Sequence, residues 1–507
     1  MIKPKTFRPW TPGQTQLMPP SPIEWLPSDH LVFFLLDLPN ELDFSAIMAP
    51  ALVKDPRGEK GFDPRMMTLL LLYAYCIGIV SSRKIERACY EDLAFRVLTG
   101  NQQPDHSRIS DFRLRNLDAL SGLFVQILRL CQKAGMVSLG HVALDGTKVK
   151  ANASKHKAMS HERMLKAEAQ LQKEIEELMR QAEDVDAKED STYGKGKRGS
   201  DLPEELQRRE ERLEKIRQAR LELEAETAAV AARERLQKAA EADAAAQNAS
   251  EEERQKLDNK ADRDREKAEM ATELAMEKAE LADLEPPDLE PLESDQLPRR
   301  GLAHQADGTP TAKTQRNFTD PESHIMKGNG EMVQGYNCQA VVDGDHQVIV
   351  AVGVSNQAPD VEHLEPMLER TIANTGAIPK TFIADAGYWS EDNAELCTEA
   401  QTDPHIATGR QKHGQPPPST KGRIPKDLGP KERMARKLRT IKGREIYAKR
   451  KTIPEPVFGQ TKEGRGLRRF LMRGLEKVNG EWTLWSTTHN ILKLFRFQKK
   501  QAAAAMG

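Results

Sequence analysis

Two short β-rich segments each deliver one aspartate next to an apolar run. Residues 142–150 contain Asp145 and residues 381–388 contain Asp385, and a glycine follows closely in both. A carboxylate beside a buried strand loses hydration, which costs free energy unless another group uses its charge. Asp-Gly is also an ordinary turn signal, and Asp385 could cap the segment after it. Together the two aspartates predict a pair of acids that share a divalent metal ion.

The charge is distributed unevenly, although the net charge is only −1. Between Arg410 and Arg473 there are 20 Lys and Arg residues against 5 Asp and Glu. A block of this kind favours a polyanion partner, because each neutralised phosphate releases counterions; a solvated, loop-rich surface is the alternative. Glu455 lies in this block between two prolines, which predicts a position near a helix start. It is the candidate third acid, with Glu445 and Glu463 as rivals.

The cysteines and the apolar runs point to the interior of a cytosolic protein. The five cysteines lack zinc or redox spacing, so we expect reduced, buried packing residues. The N-terminus has no signal-peptide pattern. The apolar run at 66–80 is too short to span a membrane and predicts a buried core helix. We therefore expect a cytoplasmic protein with no membrane partner.

A long polar segment interrupts the chain. From about residue 158 to 284 there is no Phe or Trp, and the composition is typical of long exposed helices. Met164, Leu171 and Leu178 are seven apart, which predicts a heptad seam in an antiparallel hairpin of helices. Unbroken, residues 205–283 would span about 120 Å. The predicted division is an N-terminal arm at 1–62, a helical domain at 63–135, an α/β domain at 136–157 and 316–495, and a coiled-coil insertion at 158–300 with an acidic, proline-rich end.

Residues 63–135 are predicted to form three helices, at 64–79, 83–92 and 107–130. Arg108 and Arg113 lie near the start of the third helix. Short helices with these arginines could form a helix-turn-helix-like DNA-binding domain. A plain helical bundle that packs against the core is the alternative.

The α/β region predicts a mixed sheet that gathers acids from distant positions. A hairpin at 336–342 and 347–354 with a tight Asp343-Gly344 turn precedes a helix at 362–375 and strands at 380–385 and 404–408. Mg²⁺ prefers oxygen ligands, and two such ions about 4 Å apart support in-line phosphoryl transfer. We expect a nucleic-acid phosphoryl-transfer site with two Mg²⁺ ions, for which Mn²⁺ substitutes.

Seven stretches together resemble the bacterial insertion-sequence transposases of the DDE class, in the group with an N-terminal helical domain and an RNase H-like core interrupted by a coiled coil. The stretches are Leu93-Ala-Phe-Arg96, Pro104-Asp-His-Ser-Arg-Ile-Ser110, Leu144-Asp-Gly-Thr-Lys-Val-Lys-Ala-Asn-Ala-Ser154, Gly335-Tyr-Asn-Cys-Gln-Ala340, Ile383-Ala-Asp-Ala-Gly-Tyr388, Glu455-Pro-Val-Phe-Gly-Gln460 and Thr488-His-Asn490. The resemblance implies that Asp145, Asp385 and Glu455 form the metal-binding catalytic triad.

The resemblance also implies a Tyr-Arg-Glu-Lys signature, in which the Arg and Lys contact DNA phosphates near the cleaved end. The matching residues are Tyr447, Arg450, Glu455 and Lys462. Four residues separate Arg450 from Glu455, where the family pattern usually has three. Lys449 or Lys451 could therefore take the place of Arg450.

Other candidate DNA contacts are Lys148 and the aromatic pair Tyr388 and Trp389. The pair could stack on an unpaired base at the element end, at about 1–3 kcal/mol per base. A core aromatic pair is the alternative.

The expected function is that of a transposase that binds terminal inverted repeats, cleaves DNA and joins 3′-OH ends to target DNA. Its partners would be double-stranded DNA and further copies of the chain, as a homodimer or larger assembly. The alternatives are a catalytically silent, DNA-binding coiled-coil protein and a metal-dependent nuclease without strand transfer.

Overall fold

The computed structural model describes residues 9, 11, 22–53, 60–193, 204–247, 249–287, 289, 297–328, 330–409, 420, 422, 424–425 and 427–506. Parts of the predicted arm, residues 194–203 of the predicted insertion, residues 290–296 of its acidic, proline-rich end and residues 410–419 of the basic block lie outside these residues.

The α-helices of the described residues are α1 (Leu31–Asp37), α2 (Ser45–Leu52), α3 (Pro64–Cys76), α4 (Ser82–Glu91), α5 (Leu93–Leu98), α6 (His106–Arg115), α7 (Leu117–Lys133), α8 (His161–Tyr193), α9 (Glu204–Ala246), α10 (Glu251–Leu281), α11 (Leu364–Thr375), α12 (Glu391–Glu399), α13 (Pro430–Arg439), α14 (Ile441–Thr452), α15 (Pro454–Gly459) and α16 (Leu475–Met506). None of them is both long and apolar enough to cross a membrane.

The β-strands of the described residues are β1 (Val142–Lys150), β2 (Ala158–Ser160), β3 (Gln315–Asn317), β4 (His324–Gly328), β5 (Glu331–Asp343), β6 (Ile349–Ser355), β7 (Thr381–Ala384) and β8 (Asp403–Ile406).

The described N-terminal helices are more broken than the sequence predicted. Helix α3 begins at Pro64 as expected, because the Asp63 carboxylate caps it by accepting the Arg65 N–H at 2.8 Å. An additional helix, α5, begins where Asp92 caps it. The predicted third helix divides into α6 and α7 at Asn116, whose backbone leaves the helical conformation (φ −113°, ψ 20°). The helix predicted at 107–130 was therefore wrong as a single element.

The predicted mixed α/β sheet is confirmed. Strand β1 pairs antiparallel with β5 and parallel with β7. Strand β5 also pairs antiparallel with β6, and β7 pairs parallel with β8, while β4 adds to β5. Strand β1 thus lies between the antiparallel strands on one side and the parallel strands on the other. This arrangement agrees with the RNase H-like core that the resemblance implied.

The β5–β6 hairpin exists, but its turn is not the predicted two-residue Asp-Gly turn. Residues 344–348 connect the two strands. Asp343 still belongs to β5, and its buried carboxylate accepts the N–H groups of Leu139 at 2.8 Å and Asp345 at 3.1 Å. Gln347 takes the left-handed conformation in this longer loop, with φ of 58°. The tight-turn prediction was wrong: Asp343 is the last residue of β5, and its side chain bonds Leu139 outside the loop as well as Asp345 within it.

Helix α16 covers the outer edge of β6. In the described sheet β6 pairs only with β5, so its outer backbone groups need other partners. The Asn490 side chain accepts the Ile349 N–H at 2.9 Å and donates to the Ile349 carbonyl at 2.8 Å. From α11, the Asn374 amide donates to the Val350 carbonyl at 3.0 Å. These side-chain amides act as hydrogen-bond partners for backbone groups at the outer edge of β6.

The other face of α16 packs on the N-terminal helices. The rings of Tyr75 in α3 and Trp485 in α16 meet edge to face, with centroids 5.1 Å apart. Gly480 allows α7 to approach, because a Cβ there would lie 2.4 Å from Cγ of Leu117. The helices predicted as a separate domain at 63–135 thus belong to the same compact unit as the sheet, which comprises residues 1–152, 294–299 and 325–507.

The second compact unit comprises residues 153–293 and 300–324 and contains the predicted coiled coil. Helices α8 and α9 meet along the predicted leucine seam, which includes Met164, Leu171, Leu213 and Leu223. Beyond it α9 packs on α10 through alanines, such as Ala228 against Ala275. Residues 205–283 do not form one unbroken helix, because the chain turns before Ser250, whose capping box starts α10.

We predict that Asn490→Leu destabilises the sheet unit. The substitution leaves the buried N–H and carbonyl of Ile349 without partners, so the free energy of unfolding should fall by about 2–4 kcal/mol. Urea unfolding followed by tryptophan fluorescence measures this. Gln501→Leu makes the same chemical change at an exposed position of α16 and should shift stability by less than about 0.5 kcal/mol. Equal effects would contradict a role for Asn490 at the edge.

A second prediction concerns pH. Glu481 of α16 is 1% exposed, and its carboxylate accepts the N–H groups of Leu471 at 2.9 Å and Met472 at 3.0 Å. Burial raises the pKa of Glu481 to about 7, and those N–H groups only partly oppose this. Because the folded chain holds this proton more tightly than the unfolded chain, its stabilisation is complete below about pH 4.5 and is lost as pH rises through 7.

Glu481→Gln removes this titration. Between pH 4.5 and pH 8 the unfolding free energy of the natural chain should therefore fall relative to that of the variant by up to about 3 kcal/mol. Urea unfolding of both chains across this pH range tests the sign. A constant difference between them would show that Glu481 does not titrate there.

Candidate active site

Asp145 lies in the middle of β1, opposite Ala340 of β5. The strand does not break at Gly146, as the sequence had suggested, but continues to Lys150. The Asp145 side chain is 17% exposed, and burial raises its pKa to about 7. Arg450 opposes this shift, and the neighbouring Asp385 adds to it. The central strand of the sheet thus carries a carboxylate that favours a positive partner.

Asp385 directly follows β7, the parallel neighbour of β1. Ala143 pairs with Ile383, and continuing this register by two residues sets Asp145 beside Asp385. The Asp385 carboxylate accepts the Gly387 N–H at 2.7 Å and caps a one-turn helix at Ala386–Tyr388. The capping role considered from the sequence is therefore real, and it coexists with a position next to the other aspartate.

Glu455 lies in the first turn of α15, directly after Pro454, which confirms the predicted helix start. Arg450 connects it to Asp145: the guanidinium lies 3.7 Å from Asp145 Oδ2 through Nη1 and 3.5 Å from Glu455 Oε1 through Nη2. Of the two rival acids, Glu463 is paired with Arg468, and Glu445 is exposed on α14. The structure therefore connects Glu455 with Asp145 through one arginine.

Tyr447 lies one helical turn before Arg450 in α14. Burial raises the pKa of its hydroxyl, which lies close enough to Arg450 and to both aspartates for their charges to affect it. Lys449 and Lys451, the alternatives to Arg450, are exposed. The four residues between Arg450 and Glu455 span the end of α14 and the start of α15. Arg450 is the cation that faces the acids.

The two lysines of the predicted DNA contacts have internal partners. Lys148 is 17% exposed and donates to the Ala358 carbonyl at 3.0 Å and to Asp360 Oδ1 at 3.2 Å. Lys462 donates to the Lys148 carbonyl at 2.8 Å, and burial lowers its pKa. Both lysines are thus held by hydrogen bonds inside the protein.

Arg113 does not occupy a position from which it can contact DNA. It is 5% exposed and donates to the Val80 carbonyl at 2.8 Å and the Tyr75 hydroxyl at 3.2 Å. This contradicts the predicted DNA contact, because the guanidinium holds helices together. Arg108 is exposed on the same helix, 3.6 Å from Asp105, and remains a candidate.

The aromatic pair after Asp385 is divided. Tyr388 is 1% exposed and its hydroxyl donates to Gln339, so in this position its ring has no free face for a DNA base. Trp389 is half-buried beside Met434 and Leu438. The core alternative thus describes Tyr388.

Asp360, Asn337 and Gln339 were not among the site residues predicted from the sequence. Asn337 and Gln339 are fully buried and contact Asp360, which also lies close enough to contribute to the raised pKa of Asp145. Two amides at alternate positions of an otherwise apolar strand were the available signal, because buried amides require polar partners. Their partner comes from a loop that has no strand or helix pattern of its own.

The carboxylates have the ligand chemistry that a hard divalent cation prefers, but they are not arranged around a common point. Carboxylate oxygens are the ligands that Mg²⁺ prefers, and the raised pKa of Asp145 shows how costly its isolated charge is. In the described residues no three His, Cys, Asp or Glu side chains are arranged to hold a metal ion. Arg450 lies between Asp145 and Glu455, so the metal triad stays a prediction.

Two family models match the chain. A transposase domain (DUF772) matches residues 21–115, and a transposase DDE domain matches residues 298–491. The second match includes Asp385 and Glu455, and the pairing of β1 with β5 and β7 adds Asp145 to them. No curated protein and no solved structure matches. The two matches agree with the helices, the mixed sheet and the acids, and the chain belongs to the insertion-sequence transposases of the DDE class.

Proposed function

We propose that this transposase binds the ends of its element, cleaves the DNA there and joins the 3′-OH ends to target DNA. The observation that supports the proposal is the parallel pairing of β1 with β7 at Ala143 and Ile383, each of which lies two residues before an aspartate. Arg450 lies between Asp145 and Glu455. In cleavage, a water oxygen bonds to phosphorus, the P–O3′ bond breaks and a 3′-OH is released. In joining, that 3′-OH attacks a target phosphate, whose own P–O3′ bond breaks.

Asp145, Asp385 and Glu455 would hold two Mg²⁺ ions, which activate the attacking oxygen and stabilise the leaving oxygen. Arg450 offers a planar fork of N–H donors that matches the non-bridging oxygens of a phosphate. Tyr447 lies beside that fork, one helical turn earlier in α14. In this proposal Arg450 leaves its position between Asp145 and Glu455 and binds the DNA phosphate.

DNA recognition is assigned to the N-terminal helices and to the basic stretch around α13 and α14. Helix α6 exposes Arg108 and Arg115, and α13 and α14 carry exposed basic residues such as Lys449 and Lys451. Bringing two element ends together requires at least two copies of the chain. We therefore propose a dimer or larger assembly on DNA in the cytoplasm.

Asp145→Asn and Asp385→Asn test the catalytic acids. Each change removes a charged oxygen ligand, so cleavage of DNA carrying the element ends should fall by about 1000-fold or more, which corresponds to about 4 kcal/mol of barrier. End binding, measured by fluorescence anisotropy, should remain within a few-fold of the natural chain. Asp392→Asn changes an exposed acid of α12 and should leave both unchanged. Full cleavage by either active-site variant would refute the site.

The products of the same assay separate the alternatives. Joined products in the presence of Mg²⁺ or Mn²⁺ are expected for a transposase. Cleavage without joining would assign a nuclease, and binding without cleavage would assign a catalytically silent DNA-binding protein.

Arg450→Met separates cation binding from phosphate binding. Removing a positive charge beside Asp145 and Glu455 should leave the affinity for Mn²⁺ unchanged or raise it, because cation and guanidinium compete for the same carboxylates. Cleavage should fall by about 100-fold, as expected when a charge-assisted phosphate contact of about 3 kcal/mol is lost.

The control for Arg450→Met is Lys451→Met, which removes an exposed charge from the same helix. It should reduce cleavage much less. Mn²⁺ binding is followed by the paramagnetic resonance of the free ion. A large loss of Mn²⁺ affinity in the Arg450 variant would contradict its assignment to the DNA phosphate.

A further inference from the structure

We propose that Asn337, Gln339 and Asp360 form a positioning network that fixes the turn carrying Asp385, with Tyr388 as the connecting residue. The inference rests on the proposed function, since it concerns the site where Asp385 would bind its cation. It assigns a role to the Gly335-Tyr-Asn-Cys-Gln-Ala340 stretch, which the proposed chemistry leaves without one.

The centre of the network is a single oxygen of Asp360. Asp360 Oδ1 accepts the Asn337 amide at 2.7 Å, the Gln339 amide at 3.0 Å and the Lys148 ammonium at 3.2 Å. Asn337 and Gln339 point to one face of β5 because they are two residues apart, and Lys148 is the cross-strand partner of Asn337. Three donors from two strands therefore hold the loop after β6 in one position.

The network reaches the Asp385 turn through Tyr388. The Gln339 side-chain carbonyl accepts the Tyr388 hydroxyl, while the Tyr388 backbone carbonyl accepts the Asn393 amide at 2.8 Å. Asp385 caps the same turn through the Gly387 N–H. Since both ends of the Tyr388 residue are fixed, the Asp385 carboxylate has a defined direction next to β1.

Asp360 also approaches the Asp385 carboxylate itself. A Cβ placed on Gly387 would lie 3.0 Å from Asp385 Oδ1 and 3.5 Å from Asp360 Oδ2. The two oxygens are therefore no more than 6.5 Å apart (3.0 + 3.5). Asp360 thus lies near the turn, and we assign it as a positioning residue that acts through Gln339 and Tyr388.

Gly146 provides the space in which the network forms. It pairs with Gln339 across β1 and β5, and a Cβ at this position would lie 2.7 Å from Gln339 Nε2 and 3.2 Å from Asp360 Oδ1. The glycine after Asp145 is therefore required for close approach of the Gln339 amide. Any larger residue would push the amide away from Asp360.

Tyr388→Phe tests the network while keeping the buried ring. Groups that orient metal ligands typically change metal affinity 10–100-fold when removed, so we expect at least about 10-fold weaker Mn²⁺ binding to the full chain without DNA. The matched control is Tyr75→Phe, which also removes a buried, hydrogen-bonded hydroxyl. Both variants should lower the unfolding temperature by a similar few degrees, but only Tyr388→Phe should weaken Mn²⁺ binding.

Gly146→Ala supplies a second test that leaves every polar group in place. It should weaken Mn²⁺ binding at least as much as Tyr388→Phe, whereas Gly122→Ala in α7, where a Cβ meets nothing within 4 Å, should leave the affinity unchanged. Natural Mn²⁺ affinity in both Tyr388→Phe and Gly146→Ala would overturn the network.

The failure of the proposed function has a different signature. If the natural chain binds no Mn²⁺, or if Asp385→Asn binds it equally well, the metal site itself is wrong. If Asp385→Asn loses the ion and the two network variants do not, only the positioning role is wrong.

Discussion

The desolvated carboxylate of Asp145 is the constraint on which the arrangement of the site depends. Strand β1 has a neighbouring strand on each side, so the Asp145 carboxylate loses much of its hydration. The adjacent strands do not replace the lost water. The sheet contributes the Gly146 N–H at 2.9 Å, and α14 contributes the guanidinium of Arg450. The positions of α14 and α15, and with them Tyr447 and Glu455, follow from the need to bring a positive charge to this strand.

The sheet around that carboxylate is assembled from distant parts of the chain. Strands β1 and β5 pair over nine residues although the whole insertion separates them in sequence. Closing a long loop costs only slightly more than closing a medium one, because the entropy depends on the logarithm of its length. The insertion also builds its own leucine and alanine seams, so it does not rely on the sheet for a core. A catalytic core interrupted by such a segment is therefore thermodynamically reasonable.

Much of this architecture was predictable, because local sequence patterns determine it. The strands containing Asp145 and next to Asp385, the heptad seam of α8 and α9, and the start of α3 at Pro64 all follow from periodicity and capping. The burial of Arg113 and the choice between the two alternatives for Tyr388 could not be predicted, because sequence shows that a side chain is polar or aromatic but not which way it faces. The break at Asn116 was missed because one asparagine inside an apolar pattern is a weak signal, which tertiary packing decides.

The network around Asp360 could not have been predicted by the same means. Its members come from β1, β5 and a loop after β6, and no spacing rule connects them. The glycine at 146 was interpreted as a possible turn because Asp-Gly usually marks one, whereas its function is to leave a space. The residues that touch the chemistry carry motifs, and the residues that hold them in place are recognised only when the strands are paired.

Helix α9 has two kinds of neighbour along its length: leucine-rich α8 first and alanine-rich α10 afterwards. Helices packed through alanine approach more closely than those packed through leucine, within the usual range of about 8–10 Å. The distal hairpin is accordingly a thin rod, whose length can change by matched turns added to or removed from α9 and α10. Related elements could thus vary the reach of this rod without altering any strand that carries an acid.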